Sequence, residues 1–321
     1  MVKAIQFRGS PSQEIVETTF DLPELQAAEV LIRVTHSGLC GSELYMLDRP
    51  LVLGHEGIGI VEAVGPACTR LGVGDRVGWG PVNATCGDCE PCLKGQESYC
   101  NQIKLYGFDA YDRSGSLCSH AVRSEQWLFR IPDGLPSADA APLMCGGGTV
   151  WAALIEHCRP FHRVGIVGVG GLGHLAVQFA AKMGCHVSVF SSTADKEEMA
   201  RRLGAHQFYA TRGVTDYTAL GVDGPIDRLL ITSSAKPDLA VLYPLLDRNA
   251  VIIPLNKMLD FAARHHITCA VEHYPMTLQS VKDAMERLRK GTIRYRAVFS
   301  WDRPRNGYCE DSHDRSGTRA F

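Results

Sequence analysis

A glycine turn between an apolar run and a helical pattern constrains the fold of this chain most. The stretch Arg163–Gly184 reads RVGIVGVGGLGHLAVQFAAKMG, which predicts a buried strand, a tight turn and a helix with apolar faces. Glycines at G-x-G-x-x-G spacing let a pyrophosphate approach the backbone at the helix N-terminus. A second strand, Cys185–Phe190, follows. The stretch therefore predicts a dinucleotide site in a parallel α/β sheet. The residues of the turn are Gly168, Gly170, Gly171, Leu172 and Gly173.

The end of that second strand indicates which dinucleotide binds. An NAD site usually has Asp or Glu there, to hold the ribose 2′-hydroxyl. Here Ser191, Ser192 and Thr193 offer hydroxyl donors and Lys196 offers a cation, which suits a 2′-phosphate. The same residues also fit a helix start, with Thr193 as its cap and Asp195 in its first turn. The two interpretations are compatible, and the prediction is NADP.

The rest of the chain predicts a second domain of a different kind. A length of 321 residues is long for a single core. Residues 1–80 contain short β-type runs broken by glycine, such as Glu29–Thr35 and Ile58–Val64, which predict a small β-barrel or sandwich. After the second strand of the glycine-turn unit, βα alternation continues, with a helix predicted near Lys236–Leu246 and another at Val281–Gly291.

A run of closely spaced cysteines predicts a metal site. Two-residue gaps let neighbouring thiolates converge on one ion, and a fourth thiolate closes a tetrahedron and leaves no position for substrate. The prediction is a structural zinc, with an iron–sulfur cluster or disulfides as alternatives. The four residues, in the pattern C-x2-C-x2-C-x7-C, are Cys86, Cys89, Cys92 and Cys100.

A second set of metal-ligand residue types lies in Cys40–Glu56, where Cys40, His55 and Glu56 occur among apolar residues. Thiolate and imidazole together suit zinc, and a carboxylate adds an interchangeable ligand. The plainer interpretation is a buried cysteine and a surface His–Glu pair. Cys145, before three glycines, is a further thiol, or a small buried residue that begins the next domain.

Composition excludes several classes of function. A net charge of -2 gives no electrostatic basis for binding nucleic acid or an anionic membrane. No apolar run is expected to span a bilayer, and the N-terminal stretch predicts a strand instead of a secretory signal. We therefore expect a cytoplasmic protein whose other cysteines are core or surface thiols.

Together, these motifs resemble the zinc-dependent medium-chain alcohol dehydrogenases, from the first strand to about Phe299. GHEGIGIVEAVG, the four-cysteine lobe, AAPLMCGG, VGIVGVGGLG and FSSTADK are close to forms in the cinnamyl alcohol dehydrogenase and NADP-dependent aldehyde reductase group. The resemblance implies a GroES-like catalytic domain at 1–146 and a doubly wound Rossmann domain at 147–264. The chain would return to the catalytic domain at 265–300 and end in a disordered tail at 301–321.

The resemblance also implies residue roles. Cys40, His55 and Cys145 would bind a catalytic zinc, with Glu56 as the fourth, exchangeable ligand. Ser42 would relay the alcohol proton. Two further positions differ from the family pattern: Glu43 replaces an Asp that supports the histidine ligand, and Tyr45 replaces a frequent relay histidine.

Two shortened stretches distinguish this chain from the family. The Cys40–His55 interval is shorter than usual, and Leu255–Thr268 leaves room for a helix or a strand but hardly both. In relatives this second region carries the strand that pairs across a homodimer. We therefore expect a monomer or a differently built dimer, and a cleft that is more open near the nicotinamide.

The resulting functional prediction is a zinc-dependent oxidoreductase that transfers a hydride between NADP(H) and an alcohol/aldehyde pair. Its small-molecule partner would be the aldehyde or alcohol, and each chain would hold two zinc ions. The alternatives are an NADP-binding relative without turnover and an enzyme that reduces a conjugated C=C bond.

Overall fold

The computed structural model describes residues 3–107, 114–233, 238–251 and 268–301. The strands are β1 Lys3–Arg8, β2 Val16–Asp21, β3 Glu29–Leu39, β4 Gly57–Val64, β5 Arg76–Trp79, β6 Val82–Ala84, β7 Lys104–Leu105, β8 His120–Ser124, β9 Phe129–Arg130, β10 Arg163–Val167, β11 His186–Ser191, β12 Gln207–Ala210, β13 Ile226–Ile231, β14 Leu246–Val251, β15 Val271–Pro275 and β16 Arg296–Ser300. The α-helices are α1 Glu90–Leu93, α2 Ser137–Pro142, α3 Gly148–His157, α4 Gly173–Lys182, α5 Glu197–Arg202, α6 Leu239–Leu242 and α7 Leu278–Arg289.

The strands of the first part of the chain form a mostly antiparallel sheet. Its order is β15-β16-β3-β4-β5-β9, and β8 also pairs with β3. The long strand β3 buries alternate residues, including Val30, Ile32 and Val34, as its period-two pattern predicts. β15 and β16 come from the end of the described chain and close one side of this sheet. The GroES-like β domain that the sequence predicts is confirmed.

The second sheet is parallel and has the order β12-β11-β10-β13-β14. β10 and β11 pair in parallel, with Val164 opposite Val187. With β10 counted first, the order is 3-2-1-4-5, the arrangement that places a dinucleotide at the carboxyl ends of the strands. The α/β fold class with a doubly wound nucleotide-binding unit is therefore confirmed.

One predicted helix is shorter than expected. The sequence predicts a helix near 236–246, but the structure has α6 and then a single 3-10 turn, Tyr243–Leu245. Asp238 caps α6 by accepting a hydrogen bond from the Ala240 backbone N–H at 2.9 Å. Pro244 has no N–H to continue an α-helix, so the chain turns directly into β14.

One long helical stretch is apolar enough to cross a membrane by length and composition alone. This stretch, Ser137–His157, is 21 residues long, but 67% of its most apolar 18-residue segment is buried inside the protein. It is therefore a core helical stretch, in which α2 and α3 are joined by a π-helical turn, Leu143–Gly147. Residues 302–321, predicted to be disordered, lie outside the described part of the chain.

Candidate metal centres and cofactor site

Three separate segments bring four metal-ligand side chains together. Cys40 follows β3, His55 and Glu56 precede β4, and Cys145 lies in the π-helical turn. Their ligand atoms all lie within 4.8 Å of one another, and the Sγ atoms of Cys40 and Cys145 are 3.9 Å apart. About 3.8 Å is expected between two sulfurs on a tetrahedral zinc with bonds of about 2.3 Å. We call these four residues the mixed cluster, and their donor set fits zinc.

Glu43 orients the histidine of the mixed cluster. It lies in the 3-10 turn Gly41–Tyr45 directly after Cys40 and is fully buried. Its Oε1 accepts a hydrogen bond from His55 Nδ1 at 2.6 Å, which leaves Nε2 for a metal. Its Oε2 accepts from the Gly54 backbone N–H at 2.9 Å and from the Tyr106 hydroxyl at 2.7 Å. Sequence reasoning named Glu43 but missed Tyr106, because nothing local marks that tyrosine.

Arg296 on β16 is a buried cation beside the mixed cluster. Its Nη2 donates to Glu56 Oε1, and the other oxygen, Oε2, has no hydrogen-bond partner among the described residues. Burial raises the pKa of Glu56 to about 7, while the Arg296 guanidinium opposes that rise. An unpartnered carboxylate oxygen in a buried site is what an exchangeable metal ligand requires. Sequence reasoning gave Arg296 no role.

Hydrogen bonds within the mixed cluster shift the pKa values of Cys40 and His55. A hydrogen bond from the Cys145 thiol lowers the pKa of Cys40 well below its usual value, against the effect of burial. Burial by itself would lower the pKa of His55, but hydrogen bonds to Cys40 and Glu43 raise it well above its usual range. One thiolate is therefore favoured even without a metal ion, and thiolate is the form that binds zinc.

The four cysteines Cys86, Cys89, Cys92 and Cys100 also converge. No disulfide joins them: their sulfur–sulfur separations are 3.4 to 3.9 Å, which are too long for disulfides. These separations are close to the tetrahedral value for one zinc. A four-iron cluster would hold each thiolate on a different iron and so farther apart. We call residues 86–100 the four-cysteine lobe.

The glycine turn has the backbone conformation that its sequence predicts. Gly168 has φ +93°, and a Cβ there would lie 3.0 Å from the backbone of Ser233. A Cβ on Gly173 would lie 2.0 Å from the carbonyl oxygen of Gly168, so only glycine allows the helix to start this close. Around Gly170 a Cβ would meet nothing within 4 Å, which leaves the turn open to a ligand.

The glycine turn lies against the mixed cluster. A Cβ on Gly146, next to Cys145, would lie 3.4 Å from Leu172 Cδ2. A Cβ on Gly171 would lie 3.0 Å from Arg296 Cδ. These contacts place the predicted dinucleotide turn beside the predicted metal centre.

The loop after β11 contains the residues predicted to hold a 2′-phosphate. Ser191 is buried, Ser192 is exposed, and Thr193 precedes a 3-10 turn, Ala194–Lys196. Thr193 does occupy the N-cap position of that turn and Asp195 its first turn, but the Thr193 hydroxyl donates to the Asp195 carboxylate and makes no capping hydrogen bond to the backbone. Lys196 is partly exposed at the end of the turn.

Comparisons with known proteins agree with this arrangement. The sequence model of the alcohol dehydrogenase GroES-like domain matches residues 26–133, and that of the zinc-binding dehydrogenase matches residues 171–253. Cinnamyl alcohol dehydrogenase 8 of Arabidopsis thaliana is 35% identical over 88% of this chain and 90% of its own length. The chain belongs to the zinc-binding alcohol dehydrogenase family. Its sequence also supports the cinnamyl alcohol dehydrogenase group that the motifs resemble.

Two further relatives extend the comparison. NADP-dependent alcohol dehydrogenase C 1 of Mycolicibacterium smegmatis is 31% identical, covering 90% of this chain and 95% of its own length. A cinnamyl alcohol dehydrogenase structure from Sorghum bicolor superposes with a TM-score of 0.83 at 29% identity, covering 93% of this chain and 97% of that one. Alcohol and aldehyde oxidoreduction on a zinc-type scaffold is therefore the chemistry of the family to which this chain belongs.

The comparison also bears on the shortened segments. The alignment with the Arabidopsis protein runs over 325 positions but uses 88% of this 321-residue chain. The relative therefore carries residues that this chain lacks. Most of the segment predicted to be shortened, 255–268, lies outside the described residues.

Proposed function

We propose that this protein is a zinc-dependent, NADP(H)-dependent alcohol dehydrogenase that reduces aldehydes. The observation that carries the proposal is the closeness of the glycine turn to residues that flank or contact the mixed cluster. Leu172 of the turn lies close to Gly146, the neighbour of Cys145, and Gly171 of the turn lies close to Arg296, which donates to Glu56. A hydride donor and a carbonyl-polarising ion need this adjacency, since hydride moves only between atoms in near contact.

The residues of the mixed cluster would hold the metal, and Ser42 would handle the proton. Zinc in that cluster would supply Lewis-acid chemistry at the carbonyl oxygen, and a nicotinamide at the glycine turn would supply the hydride. The exposed Ser42 hydroxyl lies 3.5 Å from Cys40 Sγ, within reach of an oxygen bound beside that thiolate. It can give that oxygen a proton in reduction and accept one in alcohol oxidation.

Beyond the exposed Ser42 hydroxyl, the proton would pass directly to solvent. Tyr45, which stands where relatives often have a relay histidine, is 78% exposed. The outer path of this protein would therefore be water in place of a second side chain. Glu56, with Oε1 held by Arg296 and Oε2 unpartnered among described residues, would be the exchangeable fourth ligand.

Cations around the loop after β11 support NADP as the cofactor. Lys196 lies in that loop, and Arg212 is an exposed cation beside it, whose backbone N–H donates to the Ser192 carbonyl at 3.2 Å. Ser192 is itself exposed, and its hydroxyl can donate to a phosphate oxygen. The Mycolicibacterium relative, whose name states NADP dependence, supports the same choice.

The test is to measure oxidation of NADPH and of NADH with a panel of aromatic and aliphatic aldehydes. We expect NADPH to be preferred, and Lys196→Ala to raise its KM at least tenfold with little change for NADH. Lys182→Ala, a lysine at the end of α4, is the matched control. Equal losses with both cofactors would refute the phosphate role of Lys196. Binding of NADPH without aldehyde reduction would instead favour a relative without turnover, and saturated aldehyde products would identify a C=C reductase.

Metal analysis tests the two-site assignment independently. We propose that the mixed cluster binds the catalytic zinc and that the four-cysteine lobe binds a structural zinc, so purified protein should contain two zinc ions per chain. A single zinc, or iron, would overturn this assignment.

The oligomeric state remains a prediction. In the described residues β14 is the outer strand of the parallel sheet, next to the segment predicted to be shortened. We propose a monomer or a differently built dimer, located in the cytoplasm. Light scattering on the purified chain tests the assembly, and a tight dimer that survives dilution would contradict it.

A further inference from the structure

We propose that Tyr106 is a positioning residue that couples the four-cysteine lobe to His55 of the mixed cluster. The inference rests on the proposed role of that cluster as the catalytic zinc site. It adds a residue outside the metal ligands and a dependence of one metal site on the other.

A buried hydrogen-bond chain starts at the Tyr106 hydroxyl. The hydroxyl donates to Glu43 Oε2 at 2.7 Å, and Glu43 Oε1 accepts from His55 Nδ1 at 2.6 Å. All three side chains are buried, with exposed fractions of 4%, 0% and 3% respectively. Hydrogen bonds to an ionised carboxylate in such surroundings are short and strong. The Tyr106 ring also lies against the His55 ring, with centroids 5.1 Å apart.

The hydroxyl helps to fix the rotation of the Glu43 carboxylate. Oε2 has two donors, the Tyr106 hydroxyl and the Gly54 N–H, while Oε1 has His55. Without the hydroxyl, a fully buried carboxylate would keep one donor on each oxygen, and its plane would be held less firmly. The orientation of the imidazole depends on that plane, and partners of this kind change metal affinity by about 10–100-fold when removed.

Tyr106 is also attached to the four-cysteine lobe through the backbone. It directly follows β7, which pairs antiparallel with β6, and its N–H donates to the Pro81 carbonyl at 2.8 Å. Cys86 lies two residues after β6, and Cys100 lies four residues before β7. The lobe is therefore a loop whose two ends form the β6–β7 ribbon, and Tyr106 is the first residue beyond it.

This ribbon is too short to be stable without support. A two-stranded ribbon is marginal by itself, and β7 has only two residues. Arg123 anchors the β6 side by donating to the Val82 carbonyl at 2.9 Å. The β7 side is held by pairing with β6, by the loop that the cysteines close, and by Arg49, whose guanidinium donates to the Gly107 carbonyl directly after Tyr106. Metal bound in the lobe would add to these contacts and hold β7, and with it the Tyr106 hydroxyl, more firmly in place.

The first experiment compares Tyr106→Phe with Tyr274→Phe. Phenylalanine keeps the ring against His55 and removes only the hydroxyl. Tyr274 is the matched control, because its hydroxyl also donates to a carboxylate, Glu272 Oε2 at 2.8 Å, outside both cysteine clusters. The readouts are retention of catalytic zinc against a competing chelator and the d–d absorption spectrum of the cobalt-substituted protein.

We expect Tyr106→Phe to weaken zinc retention about tenfold and to shift the cobalt spectrum, and Tyr274→Phe to change zinc retention less than twofold. An unchanged spectrum with retention within twofold of the wild type would overturn the positioning role. Equal losses in both variants would overturn it too, because they would reflect general loosening of the domain.

A double-mutant cycle tests the coupling to the lobe. Cys92→Ser should weaken retention of the catalytic zinc when Tyr106 is present, and should add little when position 106 is phenylalanine. Losses that simply add would refute the coupling. Lys104→Pro provides a second route that leaves every thiolate intact, because proline in β7 cannot donate to the ribbon. It should give the same non-additive result.

The outcomes separate this inference from the proposed function. Protein that binds a single zinc or reduces no aldehyde contradicts the proposed function. Protein that binds two zinc ions and reduces aldehydes, but does not respond to Tyr106→Phe, contradicts only the inference.

Discussion

The mixed cluster and the four-cysteine lobe are both built from convergent thiols, yet their surroundings differ. In the mixed cluster His55 and Glu56 are 3% and 0% exposed. His55 donates a hydrogen bond to Glu43, and Arg296 donates one to Glu56. In the lobe, three of the four cysteines are partly exposed, and the ring of thiols is held mainly by short turns. A buried layer of oriented partners suits a site that must change its ligands during a reaction. Four equivalent thiolates suit an ion that never exchanges a ligand.

The largest expected effect is at the mixed cluster. Cys40→Ala removes a proposed metal ligand, and we expect kcat/KM for aldehyde reduction to fall at least about 10³-fold, because Lewis-acid stabilisation of several kcal/mol is lost. Steady-state assays with zinc in excess measure this. Cys68→Ala serves as the control, because Cys68 is a thiol that belongs to neither cysteine cluster. Activity within tenfold of wild type would show that the mixed cluster is not the catalytic centre.

A smaller effect is expected when the proton path is cut but the metal ligands stay. Ser42→Ala should lower kcat about 10²-fold without changing zinc content, since proton transfer by a placed group contributes on this order. Ser42→Thr keeps the hydroxyl and should recover most of the rate. Equal activity of the alanine and threonine variants would remove Ser42 from the mechanism.

The lobe should behave differently. Cys92→Ser should lose one zinc and make the backbone amides of residues 86–100 exchange hydrogen rapidly, because little apolar packing remains to protect them. With zinc in excess, aldehyde reduction should fall by less than about tenfold. A loss as large as that of Cys40→Ala would erase the distinction between the two clusters.

The smallest effect concerns a half-buried acid, Asp139, on α2, the helix that leads into the turn of Cys145. Burial raises the pKa of Asp139 to about 6 from 3.8, with the Cys269 backbone N–H opposing the rise. Between about pH 4 and pH 6 the unfolded chain loses this proton before the folded chain does, so stability falls as the pH rises through that window. Asp139→Asn keeps an acceptor for Cys269 and should stabilise the protein by about 1–2 kcal/mol above pH 6.

Denaturant melts at pH 5 and pH 8 check the Asp139 prediction. The gain should be larger at pH 8, where the wild-type carboxylate is charged in the folded state. A gain of equal size at both pH values would mean that charge is not the cause.

Local sequence patterns predicted the parts of this protein that depend on short-range geometry. The glycine turn needs positive φ and close backbone approach within six residues, so its spacing already indicates its shape. The C-x2-C-x2-C-x7-C run likewise lies in one loop. The helix predicted near 236–246 is shorter in the structure because Pro244 interrupts the helical pattern.

Residues far apart in the chain could be predicted to share a metal site only through the family resemblance. The side chains that contact that site were decided by the tertiary structure. Cys40 and Cys145 are 105 residues apart in the chain, and Glu56 and Arg296 are 240 apart. Arg296 has no local pattern that sets it apart from other arginines, and Tyr106 follows the cysteine lobe without any motif.

The sequence by itself therefore determined which residue types were available and how each short segment could bend. The fold decided which of them share one low-dielectric site, because a buried carboxylate or thiolate is tolerated only where distant donors and cations surround it. Tyr106, Glu43 and Arg296 meet the residues of the mixed cluster only after β3, β7 and β16 have been placed side by side or close together in one domain.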